Sequence, residues 1–211
     1  LVSAPRLHAS SLREYAQIEC IEGTHPFVSE QSLLAGQRAL AFADACTSED
    51  VVVCLVSGGG SALLAHPAEG ITLQEKIDFA RTCMQRGIAE RELNVVRKGL
   101  SAIKGGKLAR SIAPATIVNI ILSDERSHQI EANASGPTVA NNTMLTAEAV
   151  LQEAGMWEET PQHLRDVLAQ NPSLTDDDLK HIDLATTLVP GRDHALAGMR
   201  HAAQRLCDSV A

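Results

Sequence analysis

The sequence predicts an α/β protein, a three-layer α/β/α fold around a mainly parallel, Rossmann-like sheet. The first observation is that strand-like and helix-like hydrophobic patterns alternate from residue 15 onward. The second is a pair of buried-type runs, VVVCLV at 51–56 and TIVNIIL at 116–122, which are rich in β-branched residues. Alternation of this kind places helices on both faces of a parallel sheet.

The elements follow in order along the chain. Strands are predicted at residues 15–21, 51–56, 116–122 and 185–189. Helices are predicted at 29–45, 72–86, 90–104, 146–154 and 194–207. The predicted helix 72–86 is expected to turn one stripe of side chains inward: Leu73, Ile77, Ala80 and Met84. Polar or Gly/Pro-rich stretches at 65–70, 123–142 and 158–183 are expected to be loops, and the length of the middle one indicates a functional role.

Length and composition indicate a single α/β domain over residues 1–211, with an irregular N-terminal segment (1–14) and a loop or linker-like insertion (158–183). The chain is 45% hydrophobic and 21% charged, as in ordinary globular proteins. Its net charge of −8, without a block of basic residues, argues against a nucleic-acid partner. No apolar run approaches the roughly 20 residues of a membrane span. A cytoplasmic location is therefore expected.

The five cysteines form no CxxC pair, which argues against a disulfide framework or a zinc knuckle. The eight histidines show no HxxxH or HExxH spacing. We therefore expect buried thiols and ordinary surface or capping histidines.

The most informative segment is Ser57-Gly58-Gly59-Gly60-Ser61, which directly follows the strand at 51–56. Three glycines free the backbone to adopt positive φ and to approach a ligand closely. N–H groups of such a turn bind a carboxylate or phosphate group. The alternative is a tight connection with a structural role alone. The pattern matches neither GxGxxG nor the P-loop, so it favours no particular ligand.

Four predicted strands end in polar residues, and parallel strands bring such ends to one edge of a sheet. The four segments are Thr24-His25-Pro26, Ser57–Ser61, Ser123-Asp124 and Gly191-Arg192-Asp193. We expect them to line one crevice, with Thr24 and His25 closing one side of it.

The predicted helix 90–104 carries Asn94, Arg97, Ser101 and Lys104 at spacings of three and four, so these residues share one stripe. Beside it runs an apolar stripe of Leu93, Val96, Leu100 and Ile103. This arrangement places Arg97 and Lys104 at the border of the core, where they could meet an anion. The alternatives are a solvent-facing helix and a favourable placement of lysines near a helix C-terminus.

Asp124 directly follows the strand at 116–122, where a carboxylate could hold Mg²⁺, act as a base or cap a turn. Further along, Ser135-Gly136-Pro137-Thr138 offers two hydroxyls around a rigid turn. By itself this second segment predicts only the turn.

Four motifs in this order resemble the N-terminal domain of the type II glycerate kinases, the glycerate 2-kinase family: CLVSGGGSALL, ELNVVRKGLSAIKGGKLA, NIILSDE and NASGPTVAN. The resemblance spans most of residues 22–206. It implies transfer of the γ-phosphoryl group of ATP to the 2-hydroxyl of D-glycerate with Mg²⁺, in a cleft between two domains. ATP and Mg²⁺ are thus the expected cofactors, and a homodimer is possible.

The resemblance also implies roles for individual residues. Ser57–Ser61 and His25 would surround an anionic substrate, while Arg97 and Lys104 would supply positive charge for catalysis. Asp124 would contact the metal or the substrate. Ser135, Gly136 and Thr138 would be polar contacts at the rim of the cleft.

The chain departs from the family pattern in several respects, among them Asn133, which stands where an apolar residue is usual. Ser127 and His128 stand where relatives have Gly-Asp, and imidazole is a poor Mg²⁺ ligand. The family's first strand with its lysine turn and its C-terminal domain both lie outside the sequence, so the chain alone is expected to be nearly inactive. The alternative to a kinase portion is a non-catalytic domain of the same fold that binds small anions.

Overall fold

The computed structural model describes residues 1–5, 15–123 and 129–206. The strands are β1 (Val2–Pro5), β2 (Cys20–Gly23), β3 (Val51–Ser57), β4 (Thr116–Ser123) and β5 (Leu184–Pro190). The helices are α1 (Glu30–Asp44), α2 (Gly60–Leu63), α3 (Leu73–Gln85), α4 (Glu90–Gly99), α5 (Lys107–Ile112), α6 (Ala147–Glu153), α7 (Gln162–Gln170), α8 (Asp176–Leu179) and α9 (Gly191–Leu206). A short 3₁₀ segment spans Ile130–Ser135.

All strand pairs in the described residues are parallel, which confirms the α/β fold class. The strands form two sheets, a pair β1-β2 and a three-stranded sheet in the order β3-β4-β5. We predicted that the first strand would end at the same sheet edge as the others, but β2 belongs to the smaller sheet. It also begins later than the predicted segment 15–21.

The hydrophobic core has two clusters. One lies between α1, α5 and one face of β3 and β4, and is centred on Ala39, Val52, Ala109 and Ile117. On the opposite face α9 contacts β4, while Val53 and Leu55 of β3 are exposed. The second cluster joins α3, α4, α6 and α7 through residues such as Phe79, Val96, Leu151 and Leu168.

Three sequence predictions about helices are corrected. The helix at 90–104 ends at Gly99, so Ser101 and Lys104 lie in the turn that follows it. The segment 158–183 is not a loop, because it contains α7 and α8. The buried face of α3 consists of Leu73, Lys76, Phe79 and Cys83, so Leu73 alone of the predicted stripe is buried.

The N-terminal segment predicted to be irregular contributes β1, and residues 6–14 lie outside the described residues. Capping explains two helix starts that the sequence predicted well. Thr72 and Glu75 form a capping box at the start of α3, and Thr146 caps α6. In the described part of the chain, no helix has both the length and the apolar character needed to cross a membrane.

Candidate functional site: a glycine turn over buried lysines

The carboxyl ends of β3, β4 and β5 lie at one edge of the sheet, as predicted. Ser57 pairs with Leu122, and Ser123 pairs with Pro190. His25 follows β2 of the other sheet, yet it also reaches this edge. A Cβ atom placed on Gly59 would lie 3.2 Å from the His25 ring. The described strand ends therefore converge as predicted, with His25 arriving from a different sheet, while Asp124 of the predicted set lies outside the described residues.

Two positions of the turn, Gly59 and Gly60, require glycine for different structural reasons. Gly59 has a φ of +80°, which L side chains rarely adopt, and it caps α2. Gly60 contacts the 3₁₀ segment so closely that an added Cβ would lie 2.7 Å from Ala134 Cβ. Glycine at both positions allows the turn to approach its neighbours.

The Ser135–Thr138 loop packs directly against the glycine turn. Ser61 Oγ and Ser135 Oγ are 2.6 Å apart. Ser135 and Gly136 have positive φ values of 63° and 59°. Ser135 and Thr138 are only 5% and 1% exposed, so they are buried and do not lie at the rim where we predicted them.

The turn Lys104–Lys107 (KGGK) connects the segments of the site. Its first lysine donates from Nζ to the carbonyl oxygen of Ser61 (3.0 Å), and its last donates to the carbonyl oxygen of Lys98 (2.8 Å). The N–H groups of its two glycines donate to the carbonyl oxygens of Ser135 (3.0 Å) and Gly136 (2.7 Å). The KGGK turn therefore holds α2, the end of α4 and the Ser135 loop together.

Four lysines are buried around this turn: Lys76, Lys98, Lys104 and Lys107, with exposed fractions of 6%, 5%, 4% and 2%. Each Nζ atom donates to a main-chain carbonyl oxygen, of His66, Glu131, Ser61 and Lys98 respectively. Within the described residues, none of them forms a salt bridge with a carboxylate. Buried ammonium groups without a counter-ion are unfavourable, so this cluster is suited to receive an anion.

The pKa values of these lysines reflect this environment. Burial, with a smaller contribution from neighbouring cations, lowers the pKa of Lys76 and of Lys107 to about 7. Burial, followed by repulsion from Lys76, Arg97 and Lys98, holds the pKa of Lys104 well below its usual range. Burial also lowers the pKa of Lys98, which the nearby charge of Glu131 partly opposes. This mutual repulsion means that a bound anion would stabilise the protonated forms.

Arg97 lies beside the lysine cluster and not at the glycine turn. Its guanidinium group donates to Asn94 Oδ1 (3.4 Å) and approaches Met84 Sδ (3.5 Å). Burial lowers its pKa, and the charge of Glu90 opposes that shift. Its positive charge is felt at Lys76 and Lys104. Its expected catalytic role stays a prediction.

Asp124, together with Ser127 and His128, lies outside the described residues. The contact between Asp124 and a metal ion therefore stays a prediction. Over the ranges that the structure describes, no group of three or more His, Cys, Asp or Glu side chains is arranged to hold a metal ion.

Sequence analysis missed Lys76, Lys98 and Lys107. Lys107 carried a signal, because it is the first residue of α5, where the helix dipole disfavours a cation. Lys76 was missed because the predicted stripe of α3 placed Ile77 in the core, and the residue that is buried there is the one before it. Lys98 is on α4, but its burial depends on the 3₁₀ segment packed against it.

The fold and the site define an α/β domain that gathers buried positive charge around a glycine turn. A family model described as "Domain of unknown function (DUF4147)" matches residues 1–169. The chain belongs to this family, and the similar proteins confirm its predicted place among the glycerate kinases.

Three of the similar proteins illustrate the relationship to the glycerate kinases. A glycerate 2-kinase of Pyrococcus horikoshii is 39% identical over 72% of this chain and 35% of its own length. An Agrobacterium vitis protein with the provisional name hydroxypyruvate reductase is 41% identical over 73% of this chain and 35% of its own. The crystal structure of a Thermotoga maritima glycerate kinase superposes with a TM-score of 0.72 at 30% identity, covering 82% of this chain and 40% of that one. The chain thus spans about a third of the length of the curated relatives it matches.

Proposed function

We propose that the chain is the substrate-binding portion of a glycerate 2-kinase, which transfers the γ-phosphoryl group of ATP to the 2-hydroxyl of D-glycerate and yields 2-phosphoglycerate. The family membership supports a kinase, and the observation that carries the proposal is the buried lysine cluster. Both substrates are anions, and none of the four ammonium groups forms a salt bridge with a carboxylate of the described residues, although the charge of Glu131 acts on Lys98. A ligand would supply the missing negative charge.

The chemistry requires positioning and charge neutralisation more than covalent assistance. A bond forms between the glycerate 2-oxygen and the γ-phosphorus, while the bond from that phosphorus to the β,γ-bridging oxygen breaks and releases ADP. The hydroxyl proton leaves with a base or with solvent. Lys104 and its neighbours would stabilise the charge on the transferred group, and the turn around Gly59 would orient it.

Magnesium enters this proposal with the nucleotide, as Mg·ATP. The described residues supply no ready-made donor set for the ion, so we assign no step to a protein-held metal. Asp124 remains the proposed protein contact for the ion.

A dehydrogenase function, suggested by the provisional name of one relative, has less support. The segment Ser57–Ser61 reads S-G-G-G-S and lacks the G-x-G-x-x-G pattern of a dinucleotide site. The second candidate is a non-catalytic domain of the same fold that binds small anions, which the buried lysine cluster would also suit. A homodimer and a cytoplasmic location stay predictions.

Calorimetric titration with D-glycerate and, separately, with Mg·ATP tests the proposal. We expect binding of at least one of them, with L-glycerate and inorganic phosphate as weaker-binding controls. Equal affinity for inorganic phosphate and both substrates would favour the anion-binding alternative. No heat of binding with either substrate would contradict the kinase proposal.

A further inference from the structure

A second polar pocket lies between α4 and the 3₁₀ segment. Its volume is about 350 Å³, which is enough for a small organic acid. Gln129, Glu131 and Ala132 line it, while Ala134 and Ser135 of the same segment contact the glycine turn. The pocket and the turn therefore share one wall.

The innermost polar groups of this pocket are Lys98 and Asn141, which are both buried. Lys98 donates one N–H to the carbonyl oxygen of Glu131 (3.1 Å), and an ammonium group has three donors. Asn141 is 6% exposed and lines the pocket, and its main-chain N–H donates to the carbonyl oxygen of Leu174 (2.8 Å). The spare donors of the buried Lys98 ammonium group, beside a buried amide, favour a ligand that would accept hydrogen bonds from them.

The charges along the pocket are not uniform. Glu90 and Arg91 are exposed and lie near the start of α4, whereas Lys98 lies near its end. Eight residues of helix separate Glu90 and Lys98 by about 12 Å. Asn94 lies one turn from Lys98 and offers an amide between them. The pocket thus has a buried cation at one end, an exposed carboxylate and an exposed guanidinium group at the other, and an amide between them.

Two carboxylates, Glu90 and Glu131, also line the pocket. They would repel a ligand with several negative charges, such as a triphosphate. A ligand with one carboxylate and neutral hydroxyls meets less of this repulsion than a triphosphate does, although the charge of Glu131 also acts on Lys98. Its carboxylate would meet Lys98 and Asn141, and its hydroxyls would meet Asn94.

We propose that the pocket lined by Lys98, Asn141 and Asn94 is the subsite for the hydroxy acid, with the acid's carboxylate against Lys98 and Asn141. This inference rests on the proposed function and adds where the acceptor binds. It leaves the glycine turn and Lys104 to the phosphate groups.

The test is calorimetric titration of the Asn141→Asp variant with D-glycerate and with Mg·ATP. The new carboxylate is close in size to the amide and repels that of the acid. We expect D-glycerate affinity to fall at least about tenfold, and Mg·ATP affinity to change less than about twofold. Gln37→Glu, an exposed position on α1, adds the same charge elsewhere and should change neither affinity.

A second variant guards against misfolding at a buried position. Asn94 is partly exposed on α4. The Asn94→Asp variant should weaken D-glycerate binding, as Asn141→Asp does, with an unchanged melting temperature. D-glycerate binding that neither aspartate variant weakens would overturn the subsite assignment and leave the proposed function standing. Absence of D-glycerate binding to the unmodified protein, with Mg·ATP still bound, would also overturn the subsite. Absence of both would overturn the two proposals together.

Discussion

Lys104 Nζ lies 3.0 Å from the carbonyl oxygen of Ser61, so a buried cation sits directly against the glycine turn. The sequence suggested that Lys104 is a helix residue at the edge of the core. In the structure it lies beyond the end of α4, in the KGGK turn that joins three segments of the site. Its position makes it both a support for the turn and a source of positive charge.

Replacing Lys104 by methionine separates these two roles. Methionine fills similar space without the charge, so Mg·ATP affinity should fall about tenfold or more, since hydrogen bonds and charge at such sites contribute about 1.5–3 kcal/mol. The free energy of unfolding should change little, because removing a buried unpaired charge offsets the lost hydrogen bond. Lys180→Met, at an exposed ion pair, is the control. Unchanged Mg·ATP affinity in Lys104→Met, measured by calorimetry, would exclude a role for this charge in binding.

The stability of the protein should rise with pH between about 7 and 9. Burial lowers the pKa of Lys76 and Lys107 from 10.5 to about 7. Above pH 7 the folded protein loses these protons while the unfolded chain keeps them, so the free energy of unfolding increases, by about 1 kcal/mol or more. Urea denaturation at pH 7, 8 and 9 measures this change.

The control for the pH effect is Lys107→Met, which should show a smaller rise. Burial raises the pKa of the Cys54 and Cys83 thiols to about 11. At more alkaline pH the unfolded chain therefore loses these protons first and stability falls, so the predicted rise is measured only up to pH 9. A stability that is flat or falling from pH 7 to 9 would contradict the assignment of uncompensated buried lysines.

Alanine at Gly59 can be compared with alanine at Gly87, because their φ values are nearly the same, +80° and +81°. An added Cβ at Gly87 meets nothing within 4 Å, whereas at Gly59 it lies 3.2 Å from the His25 ring. Both substitutions should lower the free energy of unfolding by about 1 kcal/mol through backbone strain. Gly59→Ala alone should also weaken Mg·ATP binding. Thermal denaturation and calorimetry check the two effects, and equal ligand affinity in both variants would mean that the turn has only a structural role.

The contact between Ser61 and Ser135 can be measured by a double-mutant cycle. Their Oγ atoms are 2.6 Å apart across the two loops of the site. Replacing either serine by alanine should destabilise the protein by about 1 kcal/mol, and the coupling energy of the pair should be about 0.5–1.5 kcal/mol. Chemical denaturation of the four proteins provides the values. A coupling energy near zero would show that the two loops are held together by the KGGK turn alone.

Much of the fold follows from local sequence. The β-branched runs of β3 and β4 and the capping residue Thr72 set element positions to within one or two residues, because strand patterns and helix caps are local signals. The prediction of a helix over residues 90–104 is wrong at its C-terminal end. Helix α4 ends at Gly99, where an added Cβ would lie 2.8 Å from Leu168, and the KGGK glycines beyond it have positive φ, so contacts with residues far along the chain shape this region.

By itself, the sequence determined the α/β class, the glycine turn, its likeness to the glycerate kinases and the gathering of polar strand ends at one edge. These depend on the order of residue types along the chain. The tertiary structure alone decided that Lys76, Lys98, Lys104 and Lys107 are buried together and that Asn141 is buried in the pocket beside Lys98. Burial and charge pairing depend on which distant segments meet, and the desolvation that prepares these lysines for an anion arises only when those segments pack.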